Sequence, residues 1–326
     1  MTETKVYIGI DLGGTKISTA LMDEQGTILA RAGGDTGAAE GQAAVIERMV
    51  DSARQVAREG GRADLRGIVA IGVGAPGPLD TKLGILTAPP NLPGWINVPL
   101  SRIIEERLGV AAYLENDANA AALAEFHYGA GVGCANMIYV TVSTGIGGGL
   151  ILNGQLYGGT NGAAGEVGHT MIMPDGPLCG CGNRGHLEAL ASGTAIAREA
   201  RELLAKGVPT LIADLAQGDP NAVTALTVEI AAKQGDLEAQ RIIDRAMEYL
   251  GIGMANLANI FNPDMIVLGG GVTKMGEMLF EPVRRAVSRF AFPIVAKTVQ
   301  IVPARLGRDV GVIGAATVAV LHGRGT

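Results

Sequence analysis

The chain has 326 residues, 48% of them apolar, with 26 basic against 32 acidic side chains and a formal net charge of −6. Its length suggests about two domains, each able to build its own core, and its dispersed, slightly acidic charge offers no basic stripe to a phosphate backbone, which excludes nucleic acid as a ligand. No apolar stretch is as long as a membrane span and the start, Met1-Thr2-Glu3-Thr4-Lys5, has no secretory layout, so the expectation is a cytoplasmic protein without a membrane partner.

In chain order, Val6-Tyr7-Ile8-Gly9-Ile10 reads as a buried strand running into Asp11-Leu12-Gly13-Gly14-Thr15-Lys16, after which Thr19-Ala20-Leu21-Met22 resumes extended structure. Residues 40–58 are amphipathic and predict a helix. Ser101 is placed to cap a second helix that runs through Leu108 and stops at Gly109, and Val110 to Leu114 reads as a short strand. Asn116-Asp117 then opens an alanine-rich helix. Ile138-Tyr139-Val140-Thr141-Val142 repeats the opening plan, with Ser143-Thr144-Gly145-Ile146-Gly147-Gly148-Gly149 as a turn before Leu150-Ile151-Leu152. Hairpin turns at Asp23-Glu24-Gln25-Gly26 and Leu152-Asn153-Gly154-Gln155 follow at similar offsets, so duplication of one α/β unit is the economical explanation. Later, Ile243, Met247, Leu250, Met254, Leu257 and Phe261 recur at three- and four-residue steps and mark the core face of a long helix ended by Asn262-Pro263. A strand at Met265-Ile266-Val267-Leu268, a turn at Gly269-Gly270-Gly271 and a last helix near 311–321 complete the chain. The expected lobes are 1–117, with 311–326 packing back, and 118–310.

The chemistry concentrates in three places. Glycine turns after strands let backbone N–H groups approach phosphate oxygens, and Gly13, Gly14, Gly145, Gly147 and Gly269 to Gly271 qualify, although any one of them alone can be a plain turn. Asp11 is placed to reach a magnesium ion through water. No Gly-x-x-x-x-Gly-Lys-Ser/Thr loop exists, and both early glycine loops lead into strands, which excludes the P-loop and Rossmann classes. Between Gly165 and Glu188, His169, Cys179, Cys181 and His186 supply the ligand types of a tetrahedral zinc site, in a chain with only three Cys and four His. The alternative is reduced thiols and ordinary polar histidines in a glycine-rich loop. Glu166 and Glu188 flank that cluster, and acceptor-only carboxylates on either side of a rigid knot suit a polyol or sugar. Cys134 lies outside the cluster and reads as packing.

Asp11-Leu12-Gly13-Gly14-Thr15-Lys16, the stretch from Glu115-Asn116-Asp117 to Ala124-Glu125, the Thr144 to Gly149 loop and the Glu166 to Glu188 segment together resemble the ROK family (repressors, open reading frames, kinases), its glucokinases most closely. The ordered set spans about residues 5–321 and is highly specific. The resemblance implies a two-lobed actin-like ATPase fold, related to ribonuclease H, around a central cleft. It implies ATP with magnesium, structural zinc, a homodimer or homotetramer, and phosphorylation of a hexose at its 6-hydroxyl. Glucose is the first candidate, with N-acetylmannosamine, N-acetylglucosamine, mannose and fructose as alternatives. By the same resemblance Asp117 is the catalytic base, and Asn116, Asp117, Glu166, His169 and Glu188 bind the sugar. Asp11, Gly13, Gly14, Thr15, Lys16, Thr144, Gly145, Gly269 and Gly270 hold the nucleotide, and His169, Cys179, Cys181 and His186 hold zinc. The family commonly has a third Cys where His186 stands. Placed at a helix N-terminus, Asp117 is expected to be ionised at neutral pH, its alternative role being an N-cap. Asn91 and Asn97, near Pro93-Gly94-Trp95, can line the sugar entrance or simply make turns. A sugar-responsive repressor of the same family would carry a helix-turn-helix domain ahead of the first strand, for which Val6 leaves no room; a non-catalytic sugar-binding scaffold is the third reading, against which Asp117 argues.

Overall fold

A computed structural model describes residues 5–323. The apolar run at its start forms β1 (Val6–Leu12), which continues through β2 (Lys16–Asp23) and β3 (Ile28–Asp35) as an antiparallel meander. Helix α1 (Gln42–Glu59) crosses over to β4 (Ile68–Ala75), parallel to β1. A small hairpin of β5 (Leu79–Asp80) and β6 (Ile85–Leu86), then α2 (Leu100–Leu108), lead to β7 (Ala112–Asn116), parallel to β4. The sheet order is β3-β2-β1-β4-β7. Helix α3 (Asp117–Tyr128) takes the chain to β8 (Met137–Val142), β9 (Ile146–Leu152) and β10 (Gln155–Leu156), a second antiparallel meander. Helices α4 (Leu187–Ala191), α5 (Gly193–Ala205), α6 (Leu211–Leu215), α7 (Ala225–Lys233) and α8 (Leu237–Phe261) follow. The chain then adds β11 (Met265–Gly269), α9 (Glu277–Phe290), α10 (Pro293–Thr298), β12 (Gln300–Pro303) and α11 (Val310–Gly323). The second sheet runs β10-β9-β8-β11-β12, with β11 parallel to β8 and to β12, so the two sheets share one topology.

The register matches as well. Leu12 pairs with Ile17 at the closed end of the first hairpin, as Val142 pairs with Ile146 in the second. One step back, Asp11 lies beside Gly74 of the parallel neighbour and Thr141 beside Gly269. Between the sheets lie α3, packed on β8 and β9, and α11, packed on β1 and β4, and these two helices pack on each other. Their contact needs small residues: a Cβ on Gly314 would sit 2.3 Å from the Ala120 carbonyl oxygen.

Helix α8 buries Ile243, Met247, Leu250, Met254 and Leu257, as the periodicity predicts, and each such side chain contributes about 1.5–3 kcal/mol by leaving water. It begins earlier than the stripe, at Leu237, because the Asp236 carboxylate accepts the Ala239 N–H, and it ends at Asn262 in a left-handed conformation. Three other expectations shift. Ser101 is not the cap of α2. The helix starts at Leu100, whose fully buried side chain draws it into the core, and the Ser101 hydroxyl is left buried without a partner. Strand β7 runs two residues further than expected, which makes Asn116 its last residue. Gly147 to Gly149 are strand, not turn, because α3 crosses β9 so closely that a Cβ on Gly149 would lie 2.6 Å from the Ala122 Cβ. No helix among the described residues is long and apolar enough to cross a membrane.

Candidate active site

Where β7 gives way to α3, the Asn116 side-chain oxygen accepts the N–H groups of Ala118 at 2.9 Å and Asn119 at 3.2 Å. Asn116 is therefore the N-cap, and Asp117, for which that role was the alternative, occupies the first helical position. The cap consumes the Asn116 oxygen and leaves its Nδ2 facing Gly77. Behind it, Glu115 accepts the Asn116 N–H at 2.8 Å and the Asn119 amide at 3.0 Å, while desolvation pushes its carboxyl up.

Asp117 is accessible to solvent on one side and crowded by protein on the others. Desolvation pushes its carboxyl above the usual range and the charge of Glu166 adds to this, while the Ala118 N–H donating to Oδ1 at 2.7 Å pulls the other way. The backbone N–H groups at the helix N-terminus favour the charged form, as expected, but loss of hydration outweighs them and the net direction is upward. Asp11 stands beside it at the end of β1, its carboxyl pushed up to about 6 by desolvation and then by Asp117. It packs against the first turn of α11, where a Cβ on Gly311 would come within 2.3 Å of Oδ2. The charge of Glu166 thus disfavours the charged form of Asp117, and that of Asp117 the charged form of Asp11, so the two aspartates resist ionising together.

Glu166 precedes a single 3-10 turn, Val167–His169, which aims His169 between two neighbours. Its Nε2 lies 3.9 Å from Glu166 Oε2 and its Nδ1 lies 3.6 Å from the Cys179 sulfur. The His186 Nδ1 is 3.2 Å from the Cys181 sulfur, and one ligand atom from each of the four residues falls within 4.8 Å of the others. Tetrahedral zinc bound at about 2.0–2.3 Å places its ligand atoms roughly 3.3–3.8 Å apart, so this donor set fits with a small contraction. The knuckle is preshaped by its backbone: Cys179 N–H donates to the Asn183 carbonyl at 2.7 Å and Gly182 N–H to the Cys179 carbonyl at 2.9 Å. Gly185 is required there, because its φ is +67° and a Cβ would overlap the Met173 carbonyl. Glu188, in the first turn of α4, accepts the Ile146 N–H at 2.9 Å through Oε2, while Oε1 lies 3.8 Å from the Cys179 sulfur. It joins the knuckle to the turn between β8 and β9.

Gly13 N–H donates to the Lys16 carbonyl at 2.9 Å, the Thr36 hydroxyl donates to the Gly13 carbonyl at 2.6 Å, and the Thr36 N–H reaches the Thr15 carbonyl at 2.9 Å. A Cβ on Gly14 would press on Asn91 at 2.9 Å, so Asn91 supports this turn. Thr15 and Lys16 stay exposed. In the second turn, Ser143 N–H donates to the Gly145 carbonyl at 2.9 Å, Gly193 N–H holds the Ser143 carbonyl at 2.7 Å, and Thr144 is exposed. Gly269 ends β11, and Gly270, with φ +90°, passes so close to β8 that a Cβ would lie 2.4 Å from the Val142 carbonyl oxygen. The fold thus brings Thr144, Gly145, Gly269 and Gly270 together. Asn97 is a left-handed turn residue, φ 52°, donating its N–H to the Thr87 carbonyl at 2.9 Å. The half-buried Cys134 donates its thiol to the Gly131 carbonyl and stays outside the knuckle. Sequence reasoning missed Glu115, Gly311 and the Gly77-Pro78 turn, a cis peptide bond beside Asn116. The Pro76-Gly77-Pro78 run was the one available signal; nothing local marks Gly311, whose need arises from Asp11 in another strand.

The ROK family model matches residues 7–321. A glucokinase of Thermotoga maritima is 40% identical across 95% of this chain and 96% of its own. The crystal structure of a ROK hexokinase from Thermus thermophilus, 39% identical, superposes with a TM-score of 0.82 over 98% of this chain and 99% of that one. A ROK family glucokinase from Streptomyces griseus, crystallised with glucose and AMPPNP, is 34% identical and superposes with a TM-score of 0.81 over 96% and 99%.

Proposed function

The chain belongs to the ROK family, and from that premise we propose that it is an ATP-dependent glucokinase, transferring the γ-phosphoryl group of ATP to the 6-hydroxyl of glucose. Its fold is the actin-like ATPase fold of the ROK kinases. Asn116 through Nδ2, Glu166, His169 and the remaining lone pairs of Glu188 take the sugar hydroxyls. Asp117 orients the 6-hydroxyl and accepts its proton late, as a loose phosphoryl-transfer transition state allows. Its raised proton affinity makes it a stronger acceptor than an ordinary aspartate. Asp11, the turn from Gly13 to Lys16, Thr144, Gly145, Gly269 and Gly270 hold the nucleotide. Magnesium, reached by Asp11 through water, would neutralise phosphate charge. His169, Cys179, Cys181 and His186 hold zinc, which supplies a fixed cross-link rather than a reaction step, since four protein ligands leave no open position.

The proposed lobes are residues 1–117 with 311–326, and 118–310, a division supported by the two sheets of matching order. Cytoplasm is the proposed location, where ATP and reduced Cys179 and Cys181 coexist. A homodimer or homotetramer is the proposed assembly, to which exposed Ile260, Phe292 and Ile294 at the ends of α8 and α10 can contribute.

The observation that carries the reading is a solvent-facing aspartate with raised proton affinity at the head of α3, flanked by Asp11 and Glu166. Purified protein assayed with ATP against glucose, mannose, fructose, N-acetylglucosamine and N-acetylmannosamine should give the highest kcat/KM with glucose. Turnover of another hexose alone would reassign the substrate, and no turnover of any would remove the kinase reading.

A further inference from the structure

Glu125 is fully buried and has no part in the reaction as described. It lies in the last turn of α3, about two helical turns beyond Asp117. A buried carboxyl at that end of a helix loses its hydration and faces the negative pole of the helix, so the position is costly unless strong donors meet it. Three backbone N–H groups do. Ala130 and Arg305 donate to Oε2 at 2.8 and 3.0 Å, and Leu306 donates to Oε1 at 2.8 Å.

Two of these donors belong to the crossover between β12 of the second sheet and α11, which packs on the first. Glu125 therefore ties α3 to the segment that feeds α11. The two helices meet at Ala120 against Gly314, with Leu123 and Val318 in one apolar cluster, and apolar contact is non-directional, so a directed bond adds to what holds one helix in register on the other. That register matters at the far end. Asp117 heads α3, while Asp11 rests on Gly311 in the first turn of α11. A slide of one helix along the other changes the separation between the two carboxylates.

We propose that Glu125 is a positioning residue for phosphoryl transfer: its carboxyl, by gripping the Arg305 and Leu306 N–H groups, locks the register of α3 on α11 and so fixes Asp117 relative to Asp11. The proposal rests on the kinase reading above. A displacement of about 1 Å at a reacting group costs on the order of 10²-fold in rate, whereas ligand affinity depends on many contacts and changes less.

Two variants test it from opposite sides. Glu125→Gln keeps the shape but turns an amide toward N–H donors. Leu306→Pro removes one donor and leaves Glu125 intact, at a residue whose φ of −79° proline can adopt. Wild type and both variants are measured for kcat, for KM of glucose and of ATP, and for ATP hydrolysed per glucose phosphorylated, with folded fraction fixed by thermal unfolding. Positioning predicts kcat lower by about tenfold or more per folded molecule, KM values within about threefold, and a raised proportion of ATP lost to water. A structural role alone lowers the melting temperature and leaves kcat and coupling per folded molecule at wild-type values; that result in either folded variant overturns the proposal. An inactive wild type would instead overturn the kinase reading, and this inference with it.

Discussion

The turn between β1 and β2 and the turn between β8 and β9 occupy the same place in two sheets of the same order, yet they are equipped differently. Asp11 and Thr141 hold equivalent register, one step before the last pair of each hairpin and beside a glycine of the parallel neighbour. The first is a carboxylate pushed up to about 6, packed on α11. The second is a neutral hydroxyl, half-buried between β8 and the close pass of Gly270. The supports differ too: the first turn is held from within its own lobe by Thr36 and Asn91, and the second by Glu188 and Gly193, at the edge of the Cys and His knuckle. Duplication supplies two equal scaffolds, and electrostatics then limits what each can carry. Asp117 already raises the cost of ionising Asp11, and Glu166 that of Asp117, so a further acid at position 141 would add charge that repels phosphate.

The largest effect expected comes from the acid that neither hairpin carries. Asp117→Asn should lower kcat by about 10²-fold or more while glucose still binds. Near-normal turnover would remove Asp117 as the base and return the asymmetry to Asp11 alone. Next, Asp11→Asn makes the two hairpins electrostatically alike. Turnover should fall, and stability without ligands should rise in a pH-dependent way. With a folded value of about 6 above an ordinary 3.8, Asp11 keeps its proton in the native state where the unfolded chain has lost it. Its contribution is therefore fully present below about pH 4 and lost as pH rises through about 6, after which the charge is a fixed cost. Thermal unfolding should show Asp11→Asn gaining over wild type at pH 7.5 and not at pH 4; an equal difference at both would sink this account. The turnover of the wild type should likewise decline below about pH 6.

The third prediction separates the supports. Wild type should carry about one zinc per chain, and His186→Ala should loosen it, whereas His186→Cys should keep it, thiolate being an equally good tetrahedral ligand. Because Glu188 links the knuckle to the Ile146 N–H, metal loss should weaken glucose affinity by about tenfold or more and ATP affinity by less. Elemental analysis paired with calorimetric titration of both ligands checks this, and zinc-free wild type of full activity would end the metal reading. The smallest effect belongs to the first turn. Thr36→Val deletes the hydroxyl that donates to the Gly13 carbonyl, which should cost about 1 kcal/mol in denaturant unfolding and raise the KM for ATP without touching that for glucose. A change confined to glucose would mean that the first turn does not serve the nucleotide.

Much of this was legible along the chain because it depends on neighbours in sequence. The runs at Val6 and Ile138, the glycine turns after them and the stripe from Ile243 to Leu257 follow from local period and backbone freedom, and they gave the duplicated α/β plan before any contact was known. Residue types gave the knuckle: His169, Cys179, Cys181 and His186 are close in sequence, and the fold brings their ligand atoms together. What misled was equally physical. Ser101 has the chemistry of a cap, but the buried Leu100 decides where α2 begins, and Gly147 to Gly149 have the composition of a turn, but α3 needs their bare backbone in β9.

Sequence alone therefore determined the two opening hairpins and their repetition, the long helix and most of the reactive groups, since each depends on side-chain type and short-range spacing. Only the tertiary structure decided which of those groups share a site and in what state. Asn116 rather than Asp117 caps α3, desolvation raises the proton affinity of Asp117 against the pull of the helix N-terminus, and Glu125 grips a crossover that lies far along the chain. Those outcomes depend on desolvation and on contacts between residues distant in sequence, and neither quantity exists until the chain has folded.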